Sequence, residues 1–262
     1  MKYLKLFLEQ SKISIMSVAA YRANFVLMII QSFVNAVLSI VSIKYIYNYV
    51  DKIAGWSYGE MMILIGTSML VNQIFRAFIL PNLNQFVADI GNGNFDAILL
   101  KPVNVLFLIF FGRIDLSSLV SVSVPIAIVI IFERTVTIKF TIIEILMYIL
   151  LVLCGVIILS AFMLIIHSVA FYYIKVDGLM NVYYMIMAIS EKPQDIIPTK
   201  MLKTFFTWIL PAVPLACLPV SIILHKIPYR YCLLEFFLSF FMLLCAKALT
   251  YIGIKNYSSA SS

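Results

Sequence analysis

Long uncharged stretches joined by short polar segments dominate this chain. Residues 23–43 and 145–174 contain no Asp, Glu, Lys or Arg. A helix needs about 20 apolar residues to cross a bilayer core of about 30 Å. The pattern therefore predicts an all-α membrane protein with six transmembrane helices. The predicted spans lie at about residues 23–43, 57–80, 105–132, 145–174, 179–190 and 233–254.

Two of these predicted spans have unusual lengths. Residues 145–174 would form a helix of about 45 Å, which is longer than the bilayer requires. Either this helix extends beyond the membrane or it bends near His167 and Ser168. The twelve residues 179–190 are too few to cross alone, so flanking turns would have to contribute to this span.

Arg113, Asp115 and His167 lie inside predicted spans, and each has two interpretations. Arg113 and Asp115 are two positions apart, so they do not face each other on a helix. Each is expected to reach the membrane interface or to pair with another helix, while His167 is expected to pack between helices. The alternative is a pathway role for Arg113 and Asp115, and a substrate or proton role for His167.

Residues 1–22 have a different pattern, in which apolar side chains alternate with Lys and Glu. This pattern is typical of an amphipathic helix that lies in the membrane interface. A flanking helix with no special role is the alternative interpretation.

Prolines are concentrated in one region before the last predicted span. Six of the nine prolines lie between Pro193 and Pro228. Proline removes a backbone donor, and the carbonyl groups it frees need partners inside a membrane. We therefore predict that residues 191–228 enter the membrane and return as two half-helices, rather than forming one kinked span. The prolines that interrupt the uncharged run are Pro211, Pro214 and Pro219.

Composition supports a membrane protein. Hydrophobic residues make up 63% of the chain and charged residues 12%, whereas soluble domains have about 45–50% and about 25%. The net charge of +7 needs no nucleic-acid partner, because basic residues beside spans orient the protein and contact anionic lipids. Four basic residues precede the first span and two follow it closely, so both termini are predicted to be cytoplasmic.

The sequence has no motif for ATP hydrolysis or metal-dependent catalysis. The patterns G-x-x-x-x-G-K-[ST], H-E-x-x-H and G-x-S-x-G do not occur. The four cysteines are scattered without C-x-x-C spacing and are expected to be reduced core residues. We predict neither enzymatic activity nor catalytic, cofactor-binding or metal-binding residues. Any pathway through these apolar and aromatic spans would have no distinctive charged pocket.

The connection at residues 81–104 carries the most specific pattern. Its apolar residues Leu83, Phe86, Val87 and Ile90 recur at the spacing of one helix face. On the remaining surface of this predicted helix lie three polar residues, which are available to a soluble partner. They are Asn84, Gln85 and Asp89.

Two glycines and a proline set the ends of the helical turns in this connection. Gly91 and Gly93 are expected to end the first helix with a positive φ or a close backbone approach. Phe95 then begins a new turn, and Pro102 is expected to end it.

The end of this connection reads G-x-F-D-x-x-L-L-K-P-V-N from Gly93 to Asn104. This string resembles the loop between spans two and three of bacterial ABC-2 type transporter permeases, particularly the group with daunorubicin-like and viologen-type export permeases. The proline-rich stretch from Pro198 onward resembles the segment before the last span of the same family. Together the two resemblances extend over nearly the whole chain.

The resemblance implies that residues 1–262 form one transmembrane domain, the permease subunit of an ATP-driven exporter in the bacterial cytoplasmic membrane. A second permease subunit, identical or related, would complete the pathway. Two separate ATP-binding cassette subunits would bind ATP and Mg²⁺, and this chain itself would bind no cofactor. A non-transporting immunity or scaffold protein and a membrane enzyme acting on lipid are the alternatives.

The resemblance also implies two functional regions. Residues 82–96 would form a coupling helix that docks on the ATPase, and residues 179–224 would form an outer gate. The residues implied for coupling are Asn84, Gln85, Phe86, Asp89, Gly91, Gly93, Phe95 and Asp96. Those implied for the gate are Pro211, Pro214 and Pro219.

Overall fold

The computed structural model describes residues 2–20, 22–101, 103–136, 138, 140–172 and 178–257. Within these ranges there are thirteen α-helices and no β-strand. The helices are α1 (Lys2–Ala20), α2 (Arg22–Tyr47), α3 (Tyr58–Phe78), α4 (Leu80–Gly91), α5 (Phe95–Leu99), α6 (Val105–Phe111), α7 (Leu116–Ser121), α8 (Ser123–Glu133), α9 (Ile142–His167), α10 (Leu179–Ser190), α11 (Lys200–Thr204), α12 (Val213–Ile223) and α13 (Arg230–Asn256). Pro102 and residues 173–177 lie outside the described residues, so the predicted end of a turn at Pro102 is untested.

Five helices or helix pairs are long and apolar enough to cross a membrane, which confirms the all-α membrane architecture. They are α2, α3, the α7–α8 pair, α9 with its extension, and α13. A sixth is counted if the bent pair Lys200–Ile209 and Val213–Ile223 is one span. The predicted fifth span contains α10, a helix of only 12 residues.

Reciprocal side-chain caps fix where two of the spans begin. Ser57 Oγ accepts from the Glu60 amide, and a Glu60 carboxylate oxygen accepts from the Ser57 amide at 2.7 Å. Thr141 and Glu144 make the same pair of bonds at the start of α9. Each of these capping boxes provides hydrogen-bond acceptors for amide groups that the first turn of a helix leaves without partners.

The prediction of one continuous span over residues 105–132 is wrong, because the chain breaks between α6 and α7. Asp115 is the N-cap of α7, and its carboxylate accepts from the Ser117 amide at 3.1 Å. The Asp115 amide donates to the Ala77 carbonyl at 2.8 Å. The span therefore covers only Leu116–Glu133, and neither Arg113 nor Asp115 lies within a continuous helix as predicted.

The long uncharged run changes its helical geometry at His167 and Ser168, where one of its two interpretations expected a bend. The α-helix ends at His167, and a 3-10 turn continues over Ser168–Phe171. His167 is 2% exposed, and its Nδ1 lies 2.7 Å from the Met163 carbonyl. Ser168 Oγ bonds the Leu164 carbonyl at 2.8 Å and lies 3.1 Å from Thr250 Oγ1 of α13. His167 therefore packs inside the protein, as the first of its two interpretations predicts.

The centre of the bundle is α12, whose residues are all buried. It packs against α9 and α3, and α13 packs along α9. Gly155 of α9 allows α12 to approach closely, because a Cβ atom there would lie 2.8 Å from the Leu215 carbonyl oxygen. Three of the four cysteines are buried, and all four are free thiols.

Contacts between distant segments define two ends of the bundle. At the loop end, α4 follows α3 and contacts the 3-10 turn after α9. At the opposite end, Lys226 binds Glu60 at the start of α3, and Tyr229 binds Glu144 at the start of α9. The end of α3 thus lies beside α4, and its start lies at the opposite end.

Candidate functional site

Helix α4 presents an apolar face to the bundle with the predicted spacing. Leu83, Phe86 and Ile90 are buried, with exposed fractions of 0%, 3% and 7%. Pro81 lies in the first turn, where a missing amide donor costs nothing. Asn84 lies on the exposed side of the helix, so one surface of α4 is open to a partner.

Four aromatic rings connect α4 to the ends of two spans. This aromatic cluster consists of Phe86, Phe95, Phe171 and Tyr257. Phe86 lies 5.6 Å from Phe95 and 5.4 Å from Phe171, and Phe95 lies 5.3 Å from Tyr257 between ring centroids. Phe171 ends the extension of α9, and Tyr257 follows α13. Sequence analysis identified the first two rings but missed Phe171 and Tyr257.

Gly253 makes this aromatic cluster possible on the α13 side. A Cβ atom at Gly253 would lie 2.2 Å from the Phe171 ring, far inside van der Waals contact. The absence of a side chain at this position therefore lets the ring approach α13.

The polar residues of α4 differ in their hydrogen bonds within the chain and in their exposure. Gln85 Nε2 donates to Asp89 Oδ1 at 2.8 Å, and the Arg113 guanidinium donates to Gln85 Oε1 at 3.2 Å. Beside them is a groove of about 340 Å³, lined among others by Gln10 of α1 and Lys101. Gln85 and Asp89 thus already have partners within the chain, whereas Asn84 faces outward.

The two glycines of this loop have different conformations. Gly93 has a φ of 72°, whereas Gly91 is the last residue of α4 and is not among the positive-φ glycines. Positive φ is accessible to glycine at little steric cost, so the special backbone position is Gly93. Asp96 lies in the first turn of α5.

The proline-rich region forms two helical segments with axes 110° apart. Pro211 lies in the break between them, Pro214 lies in the first turn of α12, and Pro219 lies inside α12. Because Pro219 has no amide hydrogen, the Leu215 carbonyl loses its helical donor. That carbonyl is the group that approaches Gly155 of α9.

Both flanks of this bent pair lie at the opposite end of the bundle. Trp56 Nε1 donates to Asp195 at 3.3 Å, and Asp195 lies 3.6 Å from Lys203 of α11. The Lys226 ammonium lies 4.8 Å from the centroid of the same Trp56 ring. One side chain thus contacts residues on both sides of the segment from Lys200 to Ile223.

His225 and Tyr229 anchor the turn after α12. His225 Nε2 lies 2.9 Å from Glu144 Oε1, and the Tyr229 hydroxyl donates to the same oxygen at 2.8 Å. This hydrogen bond raises the pKa of the Tyr229 hydroxyl.

A second cavity lies between α2, α3 and α7, and sequence analysis missed it. This polar cleft has a volume of about 510 Å³. Its lining includes uncharged polar residues of α2 together with Arg76 and Glu191, unlike the predicted apolar and aromatic pathway. The signal in the sequence is the helical spacing of polar residues in the first span. These residues are Gln31, Ser32, Asn35, Ser39 and Ser42.

These features define a class of protein: a multi-pass α-helical membrane protein with an ordered, half-apolar loop packed on one end of its spans. Comparison with protein families is more specific. The family described as ABC-2 family transporter protein matches residues 33–261, and the chain belongs to this family. This match confirms the resemblance found in the loop and the proline-rich region. The comparisons with curated proteins and with solved structures give no match.

Membership in the family establishes the general role of the chain. It is a permease-type membrane component of an ABC transporter. The family implies partnership with ATP-binding cassette subunits, and its members are membrane subunits that are usually non-enzymatic.

Proposed function

We propose that this chain forms the translocation pathway of an exporter as a dimer and that two separate ATPase subunits drive it from the loop end. The second permease subunit would be an identical or related chain. ATP and Mg²⁺ would be bound by the ATPase subunits. The observation that carries this proposal is the aromatic cluster, because it connects one exposed helix to two spans.

The contacts of α4 support a role in coupling. Its exposed side, which includes Asn84, would meet the ATPase, and its buried side packs on the bundle. A displacement of α4 would move Phe86 and therefore press on Phe95 and Phe171. Protein interiors are close-packed and transmit such displacements. Movement of the ATPase would thus reach α9 and α13 directly.

The bent helix pair supports a gate at the opposite end. Its two flanks share Trp56, and α12 lies in the centre of the bundle. The prolines at 211, 214 and 219 would let the two segments change their angle. Leu210 has ψ of 83°, outside helical geometry, which supports a hinge beside Pro211.

The loop end is proposed to face the cytoplasm of a bacterial cell, with both termini on the same side. Four basic residues before the first span favour this orientation. Helix α1 is held at the loop end, since Ser14 Oγ accepts from the Ile114 amide at 3.2 Å. This contact fits a helix that lies along the same membrane interface as the loop.

The proposal is tested by purifying the tagged chain from its native membranes and measuring ATP hydrolysis in the eluate. Two matched variants separate the ends of the bundle: Asn84→Arg on the exposed side of α4 and Asn48→Arg in the exposed turn after α2. We expect ATPase to co-purify with the unmodified chain and with Asn48→Arg, but much less with Asn84→Arg.

Two results would contradict the proposal. The absence of ATPase from the unmodified sample would favour a non-transporting protein. Equal recovery of ATPase with both variants would show that α4 is not the docking surface. Size-exclusion profiles and thermal melting check that each variant is folded.

A further inference from the structure

The polar cleft extends along most of the membrane thickness. Its lining on α2 runs from Met28 to Ile43, which corresponds to about 22 Å at 1.5 Å per residue. The bilayer core is about 30 Å thick. The five polar residues of α2 that line it fall within an arc of about 100° around the helix. They form a continuous polar track on one face.

The other face of α2 is suited to lipid. Phe33, Val37 and Val41 lie there and are 59%, 40% and 58% exposed. Polar groups that face hydrocarbon without a hydrogen-bond partner are strongly destabilising. The polar track therefore turns away from lipid, toward the cleft.

The opposing walls supply amides, hydroxyls and a small number of charges. Helix α3 contributes Asn72, Gln73 and Arg76, and α7 contributes three serines. Gln73 Nε2 donates to Ser32 Oγ at 2.7 Å, and Tyr183 donates to Asn72 Oδ1 at 2.6 Å. These bonds hold two of the amide side chains in fixed orientations.

The chemistry of the lining restricts the ligand. Among the described lining residues, Arg76 is the single basic side chain and Glu191 is the single acidic one. No Phe, Tyr or Trp is among the described residues that line the cleft. A planar aromatic cation would therefore find no ring to stack on and no aromatic face for its charge.

We propose that the polar cleft binds a short peptide as the transported substrate, with the peptide carboxylate at Arg76 and the peptide amides at the Asn, Gln and Ser side chains. This inference rests on the proposed exporter function and names its substrate class. The cleft volume lies within the range of about 300–1,000 Å³ that is usual for small-molecule sites. Peptide amides both donate and accept hydrogen bonds, as Asn, Gln and Ser side chains do. A carboxylate can accept two parallel hydrogen bonds from an arginine guanidinium.

A dry interface between two permease subunits is the competing explanation of the polar track. Polar side chains also join helices within membranes. The two explanations differ in one measurable property: a substrate site is open to water and to a small polar solute, whereas a packed interface is open to neither.

The test uses the assembled transporter in liposomes, with the four native cysteines replaced by alanine. Ser39→Cys places a thiol in the cleft, and Val41→Cys places one on the lipid face at nearly the same depth. Each is labelled with a hydrophilic, charged thiol reagent, alone and with a pool of unmodified tripeptides or with tetraphenylphosphonium. We expect Ser39→Cys to react much faster than Val41→Cys, and tripeptides to slow its reaction severalfold.

Three results would overturn the inference: no reaction at Ser39→Cys, protection by tetraphenylphosphonium instead of peptides, or protection by neither. ATPase association and basal ATP hydrolysis are measured on the same samples. If these are normal while peptides give no protection, the peptide inference fails and the proposed exporter function stands. If no ATPase associates, the proposed function itself fails.

Stimulation of ATP hydrolysis by the same tripeptide pool is measured on the unmodified complex, so that one test needs no substitution. We expect hydrolysis to rise with peptide concentration, and Arg76→Gln to shift this rise to higher concentrations. A flat response of the unmodified complex would contradict the inference.

Discussion

The two ends of the bundle are held together by different kinds of contact. At the loop end, four aromatic rings pack in edge contacts with centroid distances of 5.3–6.1 Å. At the opposite end, the flanks of the bent helix pair are held by polar and ionic contacts, and one ion pair is open to solvent: Lys203 and Asp195 are 38% and 47% exposed. Close-packed rings tolerate little displacement, whereas exposed ions exchange their partner for water at small cost. In the proposed exporter, the stiff loop end would transmit motion and the softer opposite end would open.

The free energies expected for the two ends differ by severalfold. Truncation of a buried phenylalanine costs about 3–5 kcal/mol. An exposed ion pair contributes about 0–1 kcal/mol. Substitutions at both ends therefore test whether contacts at the loop end contribute more to the free energy of unfolding than those at the opposite end.

The largest effect is expected from Phe86→Ala. This side chain is 3% exposed and contacts two other rings, so its removal should lower the free energy of unfolding by about 3–5 kcal/mol. ATP hydrolysis should also become uncoupled from transport. Thermal unfolding in detergent and transport in liposomes measure the two effects.

The control is Phe240→Ala, at a ring of α13 that is 63% exposed. It should change stability little, because the ring buries little surface. Equal destabilisation by the two substitutions, or full coupling in a folded Phe86→Ala transporter, would contradict a stiff loop end.

An intermediate effect is expected from the glycine pair in the loop. Gly93→Ala places a Cβ atom at a φ of 72°, which costs about 1–2 kcal/mol. Gly91→Ala falls at the exposed end of α4 and should be neutral or slightly stabilising, since alanine favours helices. Thermal unfolding compares the two variants. A larger loss at Gly91 than at Gly93 would show that the strained position has been assigned incorrectly.

Sequence reasoning predicted the features that depend on local pattern. The long apolar runs predicted the spans that contain α2, α3, α9 and α13, and the spacing of Leu83, Phe86 and Ile90 predicted the buried face of α4. The break between α6 and α7 was missed because Arg113 and Asp115 were interpreted as charged residues inside one span rather than as the boundary between two helices. Helix α7 begins anew there because the Asp115 carboxylate caps its first turn and the Asp115 amide bonds the distant Ala77 carbonyl.

The remaining features depend on contacts between distant segments. Phe171 and Tyr257 join the loop only because α9 and α13 end beside it. The polar cleft was missed for another reason. The spans were identified as long runs without charged residues, and Asn, Gln and Ser do not interrupt such runs because they are uncharged. The helical spacing of these residues along α2 indicated a polar face. Only the structure shows that polar residues of α3 and α7 lie opposite this face.

The smallest effect is expected at the opposite end, from Asp195→Asn. The amide oxygen of asparagine keeps an acceptor for Trp56 Nε1, which now donates to Asp195 at 3.3 Å, while the charge facing Lys203 is lost. Because both side chains are more than a third exposed, the loss of stability should be at most about 1 kcal/mol. It should also shrink at high salt, where ions screen the unmodified pair. Thermal unfolding of Asp195→Asn, Lys203→Gln and the double variant, at low and high salt, isolates the energy of the pair. A coupling energy as large as the loss in Phe86→Ala, and insensitive to salt, would mean that this end is as stiff as the loop end and would remove the basis for a gate there.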